Sequence, residues 1–351
     1  MNLRLQKTIA AFESQQIDAL LVTNIPNITY LTEFAAEDSW LLVTKSGTFY
    51  ITDARYTLAA KNALKKTVVV HTYQDSIMDA VCALTQDCKV KRLGIEEQDL
   101  TLSQYKILKS KYPPSVQLIA TQRIVESLRE VKDKNEIAQI RQALKIHHET
   151  HRWLKKYLNP GLSEAKVLLD LEYFVKSRGV GFSFDSIIAS GPNSCYPHAK
   201  VTQRKILQRD IVLVDMGIDF QGYKSDLTRI FFFARMPQLL REVHDSVAEA
   251  QQKAIAKIKA GVVIAEVDQA ARNYLAAKKL AKFFGHALGH GVGLEIHESP
   301  RISSQNSSRL KENMVITVEP AVYLPNKFGI RLEEMILVKK NGCEVLSANI
   351  N

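Results

Sequence analysis

Cysteine is scarce in this chain: Cys82, Cys88, Cys195 and Cys343 are the four in 351 residues. None stands in a C-x-x-C pair, which excludes a zinc ribbon or dithiol redox motif, and four are too few for a disulfide scaffold. Reduced thiols are the expectation. No apolar run approaches the length that spans a bilayer. The stretch Met1-Asn2-Leu3-Arg4-Leu5-Gln6-Lys7 meets charge within four residues, which argues against a secretory signal and for a cytoplasmic protein. Short solenoid repeats are missing too. Acidic residues are outnumbered, 37 against 47 basic, for a net charge of +10. The basic residues nevertheless form no single block. They scatter through 61–66, 106–111, 132–141 and 253–259, mostly on helical patterns where a solvated face accounts for them, which argues against a nucleic-acid partner. Formal charge also says little about the outer surface if acids are consumed by bound cations.

What is present suffices for two cores. With 46% hydrophobic and 24% charged residues, the composition is that of an ordinary globular chain, and its length exceeds what one core usually supports. The first third alternates apolar runs at 18–22, 39–43, 48–52 and 67–71 with helical patterns at 55–64 and 76–84, predicting a small α/β domain. A last strand is expected at 115–119. Long helical patterns follow at 132–157, closed by Asn159-Pro160-Gly161, and at 163–177, opened by a serine suited to capping. From Gly181 onward, strand patterns alternate with helices at 237–259 and 264–281, predicting an α+β domain with a largely antiparallel sheet. The expected boundary lies near 120–130, giving domains 1–124 and 125–351.

The chemistry is concentrated in two hairpin patterns. Residues 209–217 and 224–233 flank a short connection containing Gly222. A turn centred between Phe220 and Gln221 would make Asp215 and Asp226 direct cross-strand partners, with Cβ atoms about 5 Å apart. The pattern repeats at 315–323 and 329–338, where a turn centred on Asn326 places Glu319 across from Glu333. Facing acids in apolar surroundings repel, so four such carboxylates call for a counter-charge. Two divalent cations would supply it, and oxygen ligands suit manganese, cobalt or zinc. The segment Phe284 to Glu298 carries His286, His290 and His297, with glycines at 285, 289, 291 and 293 that favour extended, closely packed backbone over a helix. One of its imidazoles is a plausible fifth ligand. His198 follows a loop, 190–197, in which an exposed imidazole can meet a substrate; the other histidines read as packed or surface residues.

These residues resemble the pita-bread metallopeptidases, the family of methionine aminopeptidase, aminopeptidase P, prolidase and creatinase. The matching motifs are Ser190-Gly-x-Asn-x-x-x-Pro-His198, Asp215-x-Gly-x-x-x-x-Gly-Tyr-x-Ser-Asp226-x-Thr-Arg229, Gly289-His290-Gly-x-Gly-x-x-x-His297-Glu-x-Pro300, Thr317-x-Glu319-Pro and Gly329-x-Arg331-x-Glu333. The first domain resembles the creatinase-like N-terminal domain through Thr52-Asp53-Ala54-Arg55-Tyr56, which points to the proline-directed branch. The resemblance implies a creatinase-like domain followed by a pita-bread catalytic domain, two divalent metals (Mn2+ first, Co2+ or Zn2+ as substitutes), and ligands Asp215, Asp226, His290, Glu319 and Glu333. It further implies catalytic roles for His198, His297 and Glu319, a channel position for His286, and Arg331 orienting a ligand carboxylate. The implied substrates are peptides with proline second, cleaved by a homodimeric Xaa-Pro aminopeptidase, with an Xaa-Pro dipeptidase as the alternative. A catalytically inactive binding protein of this fold would have no use for four repelling acids.

Overall fold

A computed structural model describes residues 2–34, 36–64 and 68–348. The chain divides into two units, one ending at Arg129 and one beginning at Glu130.

The first unit is built on a six-stranded sheet of order β4-β3-β2-β1-β5-β6. Its strands are β1 Ala19–Val22, β2 Ser39–Thr44, β3 Thr48–Thr52, β4 Val68–Thr72, β5 Arg92–Glu96 and β6 Gln117–Thr121. The sheet is mixed: β1–β2 and β2–β3 run antiparallel, while β1–β5, β3–β4 and β5–β6 run parallel. Every residue of β1 and β2 is buried, so the two central strands read as continuous apolar runs. Thr67, expected to open β4, lies outside the described residues, and β6 starts two residues later than the expected strand. Helices Leu3–Ala10, Ile25–Thr32 and Leu102–Lys111, together with β5, were not singled out in the sequence. Their caps are nonetheless conventional: Asn2, Asn24 and Thr101 each accept a hydrogen bond from the first turn of their helix.

One buried acid sets a pH response in this unit. Glu96 ends β5 and caps the helix at Ile25: its Oε2 accepts from the backbone N–H of Thr23 and Asn24 at 2.7 and 2.8 Å, and its Oε1 from Asn27 Nδ2 at 2.6 Å. Burial pushes its carboxyl up to about 7 despite these bonds, and the charge of Glu126 adds to the rise. An acid with a raised folded-state pKa holds a proton that the unfolded chain has already released, so stability is full below about pH 4.5 and falls as pH rises toward 7. The expected loss is on the order of 3 kcal/mol. Trp40 and Trp153 fall one in each unit. Urea titrations of a Trp153→Phe protein followed at Trp40 should show the decline, and adding Glu96→Gln should flatten it. An unchanged slope in that variant would assign the decline to another group.

The second unit opens on the helix Lys134–Tyr157, capped reciprocally by Asp133 and Glu136. The expected start at Lys132 is therefore two residues early, because the Asp133 side chain takes the cap position. Helix Glu164–Lys176 begins after Ser163, whose side chain accepts from Lys166 N–H as expected. Helices Gln238–Ile255 and Ile264–Ala277 are each four residues shorter at the C-terminal end than the sequence patterns suggested. The strands are β7 Gly181–Phe182, β8 Ile187–Ser190, β9 Ile211–Met216, β10 Ile218–Phe220, β11 Tyr223–Lys224, β12 Leu227–Phe232, β13 Gly289–Gly291, β14 Glu298–Ile302, β15 Val315–Val318, β16 Ala321–Leu324, β17 Phe328–Arg331, β18 Glu334–Lys339 and β19 Gly342–Val345. All their pairings are antiparallel.

Two half-domains repeat one design. Gly161, Glu164 and Ala165 donate to the carbonyls of Ile206, Arg204 and Thr202; Gly261, Ile264 and Ala265 donate to those of Leu310, Ser308 and Asn306 in the same pattern. One helix pair packs on β8, β9 and β12 through Leu154, Val167, Leu171, Ile188, Val212 and Val214, and the other on β15 to β18 through Val247, Ala250, Val267, Ala271, Ile316 and Ile336.

Candidate metal centre

Each acid-bearing hairpin comes from one half. The first hairpin turns at Gln221 and Gly222, both at positive φ (52° and 88°), with Phe220 across from Tyr223. This is the two-residue connection whose twist suits a right-handed ribbon. The turn centre therefore lies one residue beyond the expected place, and every cross-strand partner moves by two. Asp215 faces Thr228, and Asp226 lies past the end of the ladder, so the expected direct pairing of the two aspartates does not occur. Because a shift of two preserves the face, Asp215 and Asp226 still lie on the same side of the ribbon as diagonal neighbours.

In the second hairpin the expected register holds. Val318 pairs with Glu334 and Ala321 with Arg331, and the register common to both ladders puts Glu319 across from Glu333, flanking the break at Pro320. His290 sits mid-strand in β13, as extended backbone rather than helix. The glycine before it is required by close approach: a Cβ on Gly289 would stand 2.1 Å from the Thr317 carbonyl oxygen.

Ligand-type atoms of Asp226, His290 and Glu333 all lie within 4.8 Å of one another. His290 Nε2 is 3.5 Å from Asp226 Oδ2 and 3.3 Å from Glu319 Oε1, which brings a fourth residue in. Its Nδ1 lies 3.1 Å from the Gly291 carbonyl, a bond that fixes Nδ1 as the donor and turns Nε2 toward the acids. Asp215 joins through Arg331, whose Nη2 donates to Asp215 Oδ2 at 2.5 Å. The same guanidinium donates through Nε to Thr228 Oγ1 at 2.9 Å, and Thr228 Oγ1 donates to Glu333 Oε2 at 2.9 Å. Arg331 thus grips Asp215 directly and Glu333 only through Thr228. Thr317 Oγ1 accepts from His290 N–H at 3.1 Å and donates to Glu319 Oε1 at 3.2 Å. Thr228, Thr317 and Tyr323 had no role in the sequence reading, although both threonines stood in the quoted motifs. Their period-two spacing from Asp226 and Glu319 was the available signal.

The charges here are strongly coupled. Burial first, then the charges of Glu333, Asp215 and Glu319, push the Asp226 carboxyl well above the usual range, with Arg331 opposing. Glu333 is pushed up in the same way, against the pull of Arg331 and the Thr228 hydroxyl. Burial would raise Glu319 too, but the hydrogen bond and charge of His290 carry it below its ordinary value. Two full negative charges at 4–5 Å repel by roughly 3–4 kcal/mol at an effective dielectric near 20. Asp215 Oδ1 and Glu333 Oε1 are buried without a hydrogen-bond partner among the described residues, while the other oxygen of each is held by Arg331 or Thr228. A carboxylate with one oxygen tethered and the other bare and buried is the arrangement a metal ligand needs, so the donor set fits divalent cations.

Exposed imidazoles stand over this buried floor. His297 meets His290 edge to face at 4.4 Å between ring centroids, and burial with the charge of His290 lowers its pKa. His198 is exposed at the end of its loop, which Arg331 Nη1 holds through the Pro197 carbonyl at 3.1 Å. His286 Nε2 lies 3.3 Å from the Tyr323 hydroxyl, which also takes Arg331 Nη1 at 2.6 Å.

Residues 138–340 match the model of metallopeptidase family M24, and residues 4–131 that of the creatinase/prolidase N-terminal domain. The chain belongs to metallopeptidase family M24. It is a two-part chain of creatinase-type N-terminal and pita-bread catalytic domains, and its chemistry is that of a divalent-metal peptidase. Whole-chain relatives agree with the family. An uncharacterized peptidase of Bacillus subtilis (strain 168) is 34% identical over 97% of this chain and 96% of its own. Among solved structures, an Xaa-Pro dipeptidase from Bacillus anthracis aligns with a TM-score of 0.95 at 32% identity, covering 99% of this chain and 97% of that one. An X-Pro aminopeptidase from Thermotoga maritima MSB8 aligns with a TM-score of 0.89 at 35% identity, covering 98% and 97%. Among the described residues of this M24 chain, no helix is long and apolar enough to cross a membrane.

Proposed function

We propose that the protein is a two-metal exopeptidase that cleaves the bond between an N-terminal residue and a following proline. The observation that carries this reading is the pair of bare, buried carboxylate oxygens on Asp215 and Glu333 within a cluster of acids and one imidazole. Asp215, Asp226, His290, Glu319 and Glu333 would hold two ions, manganese first with cobalt or zinc as substitutes, since the set is rich in hard oxygen donors. Bound there, the ions supply Lewis acidity and a water acidic enough to give hydroxide near neutral pH.

The remaining work falls to side chains. Glu319 is the base that takes the proton of the attacking water. The leaving nitrogen of an Xaa-Pro bond is a tertiary amide with no N–H, so it departs only if protonated, and Glu319 returns the proton. His198, next to the Pro197 carbonyl held by Arg331, and His297, packed against His290, donate hydrogen bonds to the carbonyl oxygen as it gains charge. His286, backed by Tyr323, lines the substrate side. The preference for proline is supported by the names of the Bacillus anthracis and Thermotoga maritima relatives. The proposal includes a cytoplasmic homodimer.

An aminopeptidase acting on longer Xaa-Pro peptides and a dipeptidase confined to Xaa-Pro share this site. The sequence motifs do not separate the two, and TM-scores of 0.95 to a protein named Xaa-Pro dipeptidase and 0.89 to one named X-Pro aminopeptidase support both readings. An Xaa-Pro dipeptide, an Xaa-Pro tripeptide and an Xaa-Ala dipeptide, each assayed with added manganese, separate them. Hydrolysis of both proline substrates identifies an aminopeptidase, and hydrolysis of the dipeptide alone a dipeptidase. Equal turnover of the alanine control would end the claim of proline preference.

A further inference from the structure

Lys132 and Glu298 form an ion pair that the proposed chemistry leaves unused. Nζ and Oε1 are 2.6 Å apart, with side chains only 1% and 7% exposed. Removing two charges from water costs several kcal/mol per ion, so an apolar pair of similar volume would serve stability as well or better. Their attachments suggest another purpose. The Lys132 N–H donates to the Asn313 carbonyl at 3.0 Å, its Nζ also reaches the Glu130 carbonyl at 3.3 Å, and the preceding Val131 bridges to Met314. The lysine is thereby tied to the start of β15. Glu298 opens β14 immediately after His297, and its backbone partner across the ladder is Gly291, immediately after His290. Its carboxylate presses on Gly293, where an added Cβ would stand 2.4 Å from Oε1.

The chain from Gly291 to His297 is therefore a loop with His290 before one end and His297 at the other, its base closed by Glu298. The His297 imidazole is exposed and has no hydrogen-bond partner among the described residues, so its place is inherited from the backbone beside it. We propose that the Lys132–Glu298 ion pair is a positioning device for His297, fixing the loop base so that the imidazole keeps its distance from His290 during turnover. This rests on the proposed role of His297 at the substrate.

Lys132→Met and Glu298→Leu, singly and together, and the charge-preserving Lys132→Arg, test it on the metal-loaded full chain. Each is also made in a His297→Ala background. Either single apolar substitution strands a buried charge and should lower Tm, while the double variant should regain most of it. Positioning predicts that the double variant and Lys132→Arg still lose about 10-fold or more in kcat with bound metal unchanged. In the His297→Ala background the same changes should alter kcat by less than about twofold, because residues acting through one another are not additive. Wild-type kcat in both the double variant and Lys132→Arg, or an undiminished loss in the His297→Ala background, would overturn the proposal. If the wild-type protein turns over no Xaa-Pro substrate, both this and the functional reading fall; additive losses in an active enzyme sink this one alone.

Discussion

Glu319→Gln is expected to lower kcat by about 10³-fold or more while leaving the fold intact. Glutamine keeps the side-chain volume, and its carbonyl oxygen can still accept from Thr317 Oγ1, which lies 3.2 Å from Oε1. What it loses is negative charge and the capacity to take a proton. A positioned general base contributes about 10²–10⁴ by itself, and the change also removes a metal-ligand oxygen. Steady-state kinetics with measurement of bound metal separates these effects. Full metal content with a collapsed kcat assigns Glu319 to proton transfer, and depleted metal assigns it chiefly to holding the ions. A variant within about tenfold of wild-type kcat would remove Glu319 from both roles.

Metal removal should abolish activity and soften the second unit. The protein alone leaves Asp226 and Glu333 buried together, with both carboxyls pushed well above the usual range. Ions that bind only the folded form stabilise it by about 2.7 kcal/mol each at 100 times their Kd. In a unit of this size that is a rise in Tm of roughly 10–20 °C for two ions. The transition to follow is that of Trp153, which lies in the second unit. Binding must also displace protons from Asp226 and Glu333, so apparent affinity should fall as pH is lowered. Calorimetry in buffers of different ionisation enthalpy reads that release directly. A chelated protein with unchanged Tm and activity would refute the metal centre.

The hairpins show how much of the site was legible in the sequence. Apolar runs within 209–217 and 224–233 identified the strands, and side chains in a ribbon repeat every two residues. The turn between them was misplaced by one residue, since Gln221 gives no sign that it shares the left-handed conformation with Gly222. That error moved the partner of Asp215 from Asp226 to Thr228 and still left the acids on one face, because the displacement was even. For the second hairpin, Pro325 and Asn326 mark the turn tightly enough that Glu319 and Glu333 came out across from one another. Arg331 was expected to orient a ligand carboxylate, and the carboxylate it grips directly is that of Asp215 on the other hairpin.

By itself, the order of residues determined the element types, the two-part organisation of an M24 chain and the identity of the acids and imidazoles with chemical potential, since these follow from local periodicity, caps and motif spacing. Only the tertiary structure decided which oxygens are tethered and which are bare, that Thr228 links Arg331 to Glu333, and that Lys132 is buried against Glu298, 166 residues away. Those contacts join separate strands and half-domains, and their distances depend on sheet twist and packing that no local stretch of sequence encodes.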